Sequence, residues 1–351
     1  MARRPAVSIL AGAAAIAAVL AAASCARGYR GPVTDHFDGT RFHSIDPVPS
    51  GFGRWLHRVF TRRQRPWRDF TDTPPGEKPP ARVGQGRMRV TFVNHATLLL
   101  QMDGVNVLTD PTWAERADPV LGPRRRRPPG LRFEDLPPID AVLVSHDHHD
   151  HMDLPTLRRL AAAFHPPVLT GLGNAAYLAR HGVPGGKDLD WWQSAEIAPG
   201  VRVTAVPARH ASRRGLFDGN RTLWCGFVVR GPSGAAYFAG DTGYGTHFGK
   251  IAAAFPGLRL ALLPIGGFVP AWYMAPVHMG PEDAVRACRD LGAVACVPMH
   301  FGTFPVSDDA ELEPVETLRA ALAKDPVARP PFTILDNGES FDVPAAPGRG
   351  R

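Results

Sequence analysis

Six consecutive residues at positions 146–151 are rich in side chains that bind metal ions. Four of the six are histidines and two are aspartates. Only Ser145 separates them from an apolar, β-branched run at 142–144, which predicts a buried strand. Imidazole and carboxylate groups suit zinc, iron or manganese. Because a solvated loop would rarely collect four histidines in six positions, the stretch predicts a metal site at the end of a strand.

The spacing within this stretch is His-x-His-x-Asp-His, formed by His146, His148, Asp150 and His151. Residues two apart in an extended segment point the same way, so His146 and His148 can bind one ion together. Asp150 and His151 then turn toward a second position nearby. A histidine-rich tract can also bind metal without catalysis, so an enzymatic interpretation needs further ligands elsewhere.

Three more candidate ligands each stand just beyond an apolar, strand-like run. They are His210, Asp241 and His300. Ligands at strand ends converge on one edge of a layered domain, where loops can hold a rigid site. With the four residues of the motif they make a set of seven, which is enough for two ions that share one carboxylate.

The remaining pattern predicts the elements that position these ligands. A meander of strands covers 89–93, 96–101 and 105–108, with Asp103-Gly104 as a hairpin turn. Helices are predicted at 154–164, 174–181, 246–255, 281–291 and 313–323. Further strands are predicted at 166–170, 189–192, 201–206, 223–229, 235–238, 260–263 and 294–297. This order predicts an α/β fold, a four-layer αββα sandwich with two β-sheets inside and helices outside.

The motif, then His210, then Gly240-Asp241-Thr242, then His300, resembles the metallo-β-lactamase superfamily of binuclear hydrolases, from about residue 88 to 342. Within it, residues 238–244, 263–268, 272–274 and 300–304 are similar to N-acyl-phosphatidylethanolamine-hydrolysing phospholipase D and its bacterial relatives. His278 falls where that phospholipase has a histidine at the mouth of its active site.

The resemblance implies a ligand assignment. One zinc ion is held by His146, His148 and His210, and the other by Asp150, His151 and His300. Asp241 bridges the two ions, with a hydroxide between them, and iron or manganese could replace zinc. Asp147 and His149 take the variable positions of the motif and are expected outside the metal shell.

Two dications lower the pKa of a water between them to near neutrality, so hydroxide forms at neutral pH. The site therefore predicts a hydrolase that uses this hydroxide as its nucleophile. The leading hypothesis is a phosphodiesterase for N-acyl phosphatidylethanolamine or a similar anionic amphiphile. Asp150 and His278 are the predicted catalytic residues, and Arg124, Arg125, Trp272 and Tyr273 the predicted substrate contacts. A lactonase or other small-ester hydrolase, and a non-catalytic envelope metal-binding protein, are the alternatives.

Four consecutive arginines at 124–127 either form a solvated face or fix an anionic headgroup near the site. The chain carries a formal charge of +7, which favours anionic partners. Nucleic acid is not expected, because no basic groove interleaved with aromatic residues is evident.

Three regions are predicted: a signal or lipoprotein segment at 1–25, an N-terminal extension and linker at 26–87, and a catalytic domain at 88–345. Arg3 and Arg4 precede an apolar run at 7–23, as in an export signal. We therefore expect the periplasmic side of a bacterial cell envelope, with Cys25 as a candidate lipid anchor; a retained membrane span is the alternative.

Within the extension, residues 51–63 predict an amphipathic helix with five apolar side chains on one side and Arg54, Arg58 and Arg62 elsewhere. Such a helix either rests on anionic lipid through its basic face and apolar rim, as a peripheral membrane contact, or packs its apolar face on the main domain.

Four cysteines are present, at 25, 225, 288 and 296. Cys225 and Cys296 stand in apolar runs and are expected as buried thiols. A disulfide between Cys288 and Cys296 would require an oxidising compartment.

Overall fold

The computed structural model describes residues 28–49, 51–119, 122–215, 217–324 and 331–345. The predicted signal segment and Cys25 lie outside the described residues. Across these ranges, no helix has both the length and the apolar character that a membrane crossing would need.

The first β-sheet carries the histidine-rich motif. Its strands are β1 (Met88–Asn94), β2 (Thr97–Met102), β3 (Val105–Thr109), β4 (Ala141–Val144), β5 (Val168–Gly171), β6 (Gly186–Leu189) and β13 (Ser340–Asp342), in the order β13-β1-β2-β3-β4-β5-β6. The strands from β1 to β3 are antiparallel and those from β3 to β6 are parallel. Asp103 and Gly104 both have positive φ, 50° and 82°, as a type I′ hairpin turn requires.

The second β-sheet carries His210, Asp241 and His300 at the ends of its strands. Its strands are β7 (Ser194–Ala198), β8 (Val201–Val206), β9 (Gly226–Gly231), β10 (Gly234–Phe238), β11 (Leu260–Pro264) and β12 (Ala295–Met299), in the order β12-β11-β10-β9-β8-β7. Strands β10, β11 and β12 are parallel to each other, so Asp241 and His300 leave the sheet at the same edge.

Helices cover the outer faces of both sheets. They are α2 (Leu154–Phe164), α3 (Asn174–Arg180), α4 (His247–Ala254), α5 (Ala271–Met274), α6 (Pro281–Leu291) and α7 (Glu313–Ala323), while α1 (Phe52–Thr61) belongs to the extension and residues Phe133–Asp135 form one 3-10 turn. Phe92 of the first sheet and Phe227 of the second belong to the same buried core cluster, and Leu157 of α2 belongs to a separate cluster. The predicted four-layer αββα sandwich is confirmed.

The structure corrects the strand predicted at 189–192. The strand lies earlier, at Gly186–Leu189, because Trp192 has a φ of 70° and an extended strand cannot continue through that conformation. Strands β7 and β13 were not predicted. The pairing of β13 with β1, Phe341 opposite Val90, joins residues about 250 positions apart, which local sequence patterns do not reveal.

Cys288 and Cys296 form a disulfide that joins α6 to β12, so the expectation of a free thiol at Cys296 is wrong. The helix crosses the strand with the two Cα atoms 6.5 Å apart, which is within disulfide reach. Cys225 is a buried free thiol, as expected.

The extension is attached to the sandwich by contacts along its length. Phe37 and Phe42 are buried against Trp224. Further along, Arg58 of α1 forms an ion pair with Asp308.

The orientation of α1 differs from both predictions. Its arginines face the sandwich, whereas Phe52 and Phe60 are 74% and 80% exposed. The physical reason is that the sandwich offers Asp308 and the main-chain oxygen of Trp272 as partners for the arginines.

Candidate metal centre

The first predicted ligand triad comes together at the end of β4 and β8. Nδ1 of His148 lies 2.8 Å from Nε2 of His146 and 3.4 Å from Nε2 of His210. One ring nitrogen from each residue falls within 4.8 Å of the others. His146 and His210 are buried, and Nδ1 of His210 hydrogen-bonds to the Val277 oxygen at 2.9 Å. The three nitrogens are therefore close enough to bind one ion.

The neutral state of the three imidazoles favours metal binding in this triad. Burial, reinforced by the neighbouring imidazoles, lowers the pKa of His146 well below its usual value and that of His148 to about 3. Burial also lowers the pKa of His210. The three rings are therefore neutral at neutral pH and keep a lone pair for a metal ion.

The second predicted triad also comes together, with one additional residue. Asp150, His151 and His300 offer ligand atoms within 4.8 Å of each other, and His95 offers a fourth. His151 and His300 are buried and nearly parallel, with ring centroids 5.2 Å apart. His95, which was not predicted, approaches Asp150 to 3.1 Å.

Asp241 stands between the two triads, where a bridging ligand is expected. Its Oδ2 is 3.2 Å from Nε2 of both His151 and His300, and 4.0 Å from Nε2 of His210. Burial would raise the pKa of Asp241, but the charges on His151 and His300 outweigh it and hold that pKa well below its usual range. Asp241 is therefore an anion shared by both clusters.

Close packing positions Asp241. Gly240 precedes it with a φ of 60°, and a Cβ at Gly240 would lie 2.6 Å from the Ser145 Cβ. Only glycine fits there, because both the conformation and the space exclude a side chain. The Gly-Asp pair thus lets the loop after β10 approach the histidine-rich loop.

Several buried polar atoms at this centre have no hydrogen-bond partner in the described protein. They are Nε2 of His151, both ring nitrogens of His300, Oδ1 of Asp241 and Nδ1 of His278. Buried polar atoms are normally satisfied, and orphaned imidazole and carboxylate atoms in one place fit bound metal ions. The donor set of nitrogen and carboxylate oxygen suits zinc, iron or manganese.

Asp110 is a residue of the centre that the sequence reasoning missed. It is fully buried at the end of β3, where its Oδ2 accepts from Nδ1 of His151 at 2.7 Å and from Oγ of Ser145 at 2.6 Å. A carboxylate on the far nitrogen of a metal-binding histidine fixes the tautomer and the ring orientation. The sequence offered one signal for Asp110: it is a single aspartate just after a predicted strand. That strand, β3, pairs with β4, which leads into the motif.

His278 lies beside Asp241 but outside both triads. Its Nδ1 is 3.7 Å from Oδ2 of Asp241, and its ring centroid is 5.1 Å from that of His210.

Asp147 and His149 are also placed outside the triads. Asp147 accepts hydrogen bonds from the Arg213 main chain and the Thr222 hydroxyl, and His149 faces Asp118.

The four arginines at 124–127 differ in their contacts. They form neither one solvent-exposed surface nor one anion-binding site. The Arg125 side chain is buried, with Nε donating to the Ala114 oxygen at 2.7 Å, and its role as a substrate contact stays a prediction. Arg127 donates to the Gly302 oxygen and pairs with Asp336. Arg124 is exposed and stays a predicted substrate contact.

Trp272 and Tyr273 lie on α5, just before the loop that carries His278. Trp272 is 41% exposed. The Arg54 guanidinium from α1 lies 5.2 Å above the Trp272 ring and 5.5 Å above the Tyr273 ring. The extension therefore covers part of the predicted substrate contacts.

Comparison with known proteins found a matching family model and similar sequences. A family model described as a beta-lactamase superfamily domain matches residues 105–301. An uncharacterized protein of Mycobacterium tuberculosis is 45% identical over 242 residues, covering 67% of this chain and 64% of its own length. The chain thus spans just under two thirds of that relative. N-acyl-phosphatidylethanolamine-hydrolyzing phospholipase D 1 of Caenorhabditis elegans is 34% identical over 268 residues, covering 72% of this chain and 75% of its own.

The fold also matches solved structures. Isothiocyanate hydrolase from Delia radicum gut bacteria superposes with a TM-score of 0.60 at 23% identity, over 73% of this chain and 99% of its own. At that identity the likeness concerns the fold alone.

Proposed function

The chain belongs to the metallo-β-lactamase superfamily, and on this premise we propose that it is a binuclear, zinc-dependent hydrolase. The observation that carries the proposal is the position of Asp241. A single carboxylate oxygen reaches toward histidines of both clusters, within 4.0 Å of His210 and 3.2 Å of His151 and His300. A shared carboxylate is what two adjacent ions need.

In this proposal, some residues are metal ligands and others contact the substrate. His146, His148 and His210 would hold one ion, Asp150, His151 and His300 would hold the other, and Asp241 would be shared between them. When bound, two such ions supply Lewis acidity and ionise a water near neutral pH. Asp150 orients the attacking oxygen. His278, beside Asp241, donates to a substrate oxygen or to the leaving group.

We propose a phosphodiester of N-acyl phosphatidylethanolamine type, or a similar anionic amphiphile, as the substrate. The name of the C. elegans relative supports this class. Trp272 is exposed next to the extension and precedes His278 by six residues in the chain, and a large exposed aromatic side chain suits an acyl chain better than a small polar ester. A lactonase or other ester hydrolase of the same fold is the second candidate.

The extension also suits contact with a lipid surface. Phe52, Trp55, Val59 and Phe60 of α1 are all exposed, and Arg62, Arg65 and Arg68 follow with at least half of each side chain exposed. An apolar helix face bordered by cations binds the interface of anionic membranes. We propose that α1 inserts its apolar face there while its inner arginines stay on the sandwich.

We further propose an envelope location. The Cys288–Cys296 disulfide supports an oxidising compartment. Fractionation of the native organism tests it: protein with an intact Met1 in the cytosol would contradict export.

The central experiment measures metal content and substrate preference together. Elemental analysis of the zinc-supplemented protein should find two equivalents per chain. Activity is compared on an N-acyl phosphatidylethanolamine, bis(p-nitrophenyl) phosphate and an acyl lactone. Fast turnover of the lactone alone would replace the phosphodiesterase proposal with a lactonase, and absence of bound metal would overturn both.

A further inference from the structure

His95 lies at the second cluster although no sequence motif assigned it there. It occupies the turn between β1 and β2, its side chain is buried, and its Nε2 is 3.1 Å from Oδ2 of Asp150. We propose that His95 is a positioning residue whose Nε2–H donates to Asp150 and fixes that carboxylate for metal binding. This inference rests on the proposed function, because it takes Asp150, His151 and His300 as the ligands of one ion.

The main chain holds His95 firmly beside a predicted ligand. Its φ of 46° is in the left-handed region, which residues other than glycine rarely adopt. Its amide donates to Oγ1 of Thr303 at 3.0 Å, and its carbonyl accepts the amide of His300 at 2.7 Å. His300 also has a positive φ, 61°. Two unfavourable conformations are thus maintained by contacts between the same two loops, as is common at functional sites.

Among the described residues, the His95 ring has one hydrogen-bond partner, the Asp150 carboxylate. It lies against the His300 ring with centroids 4.0 Å apart and against the edge of Phe304 at 5.3 Å. Nδ1 of His95 is buried and has no hydrogen-bond partner among the described residues. Nε2 faces a carboxylate, which only accepts, so the hydrogen is on Nε2. Because Nε2 carries this hydrogen it does not bind metal itself, and the contact assigns Nε2 to the positioning of Asp150.

The buried Arg125 extends the support outward. Its guanidinium lies 5.3 Å from the Phe304 ring centroid, on the residue that packs against His95. Arg125 therefore supports the second cluster through Phe304, which packs against His95.

The test compares two amides that differ by one methylene group. His95→Gln places an N–H near the position of Nε2, whereas His95→Asn is too short to reach Asp150 and tolerates the positive φ. His181→Ala, a histidine that contacts the Tyr177 oxygen away from the centre, is the control. Release of zinc to a chelator is measured for each ion, with cobalt absorption spectra of the loaded proteins and thermal unfolding of the metal-free proteins.

We expect His95→Asn to release one of two ions at a chelator concentration about 10- to 100-fold lower than the parent. His95→Gln should stay near the parent and keep its cobalt spectrum, and the other ion should be unaffected throughout. If the parent binds two ions and His95→Asn holds both as tightly, the positioning role of His95 is overturned, but the proposed function is not. Equal losses in both variants would also overturn it, since the donor would not be responsible. A parent that binds no second ion would instead overturn the proposed function, and this inference with it.

Discussion

Arg58 and Asp308 form an ion pair, with Nη2 of Arg58 2.9 Å from Oδ1 of Asp308, that joins the N-terminal helix to the loop after His300. Both side chains are largely buried, at 11% and 5% exposure. The same carboxylate accepts the Arg63 amide at 3.1 Å. The pair explains why α1 turns its basic side inward and its apolar side outward.

Removing one partner of this pair should loosen α1. Breaking a buried ion pair leaves an unpaired charge and costs about 3–5 kcal/mol. We expect Arg58→Ala to accelerate amide hydrogen exchange across residues 52–71. The control is Arg202→Ala, because Arg202 is 57% exposed and 3.8 Å from Glu196. Unchanged exchange in Arg58→Ala would show that the pair does not anchor the helix.

Asp241→Asn should weaken metal binding as well as turnover. The substitution removes a charge that both clusters share and leaves each ion with an incomplete shell. Metal content after dialysis and initial rates are measured together. Asp147→Asn is the matched control, since Asp147 is a buried aspartate of the histidine-rich loop that accepts hydrogen bonds from the Arg213 main chain and the Thr222 hydroxyl instead. Two tightly bound ions in Asp241→Asn would disprove the bridging assignment.

His278→Ala should keep both metals and lose turnover. A positioned acid or base contributes about 10²- to 10⁴-fold in rate. His278 lies outside the two predicted triads, although it offers a ligand atom within 4.8 Å of those of His210 and Asp241. Rates on bis(p-nitrophenyl) phosphate and metal content are compared with His149→Ala, a histidine of the motif that faces Asp118. If His278→Ala turns over as fast as the parent, His278 has no catalytic role.

The outward face of α1 should control binding to anionic vesicles. Trp55→Glu with Phe60→Glu places charges on side chains that are 45% and 80% exposed. We expect at least about tenfold weaker sedimentation with phosphatidylglycerol vesicles, with unchanged rates on bis(p-nitrophenyl) phosphate. Trp192→Glu, 43% exposed elsewhere, is the control. All variants share residues 1–27, so a difference between them reports on α1, and equal binding would exclude α1 as the contact.

Attachment of the first part of the extension should depend on pH through His36. Burial lowers its pKa, but hydrogen bonds to Asp190 at 2.8 Å and Asp35 at 2.6 Å outweigh this and raise it. A raised folded-state pKa means that the stabilisation is complete below the unfolded value, about 6.5, and is lost as pH rises through the folded value. Hydrogen exchange across 28–49 should therefore accelerate above neutral pH. His36→Gln should remove this dependence beyond the intrinsic exchange trend, and an unchanged profile would refute the role of His36.

The sequence by itself predicted the layered fold and the seven candidate ligands, and the resemblance to the metallo-β-lactamase superfamily implied their division into two triads. Apolar periodicity is a local property, so α2, α6, α7 and β8 could be bounded from it. The His-x-His-x-Asp-His spacing is local too, and each distant ligand follows an apolar strand. Because parallel strands end at one edge of a sheet, the order of these residues in the chain was enough to bring them together.

Only the tertiary structure decided the supporting residues and the orientation of α1. Asp110 and His95 act on His151 and Asp150 across distances in sequence of 41 and 55 residues, and neither belongs to a motif. The helical pattern of α1 shows that its two sides differ, but not which side packs. That choice depends on Asp308, 250 residues further along the chain, which offers a buried charge to Arg58. Contacts of this kind depend on how the loops fold over each other, and no local pattern encodes them.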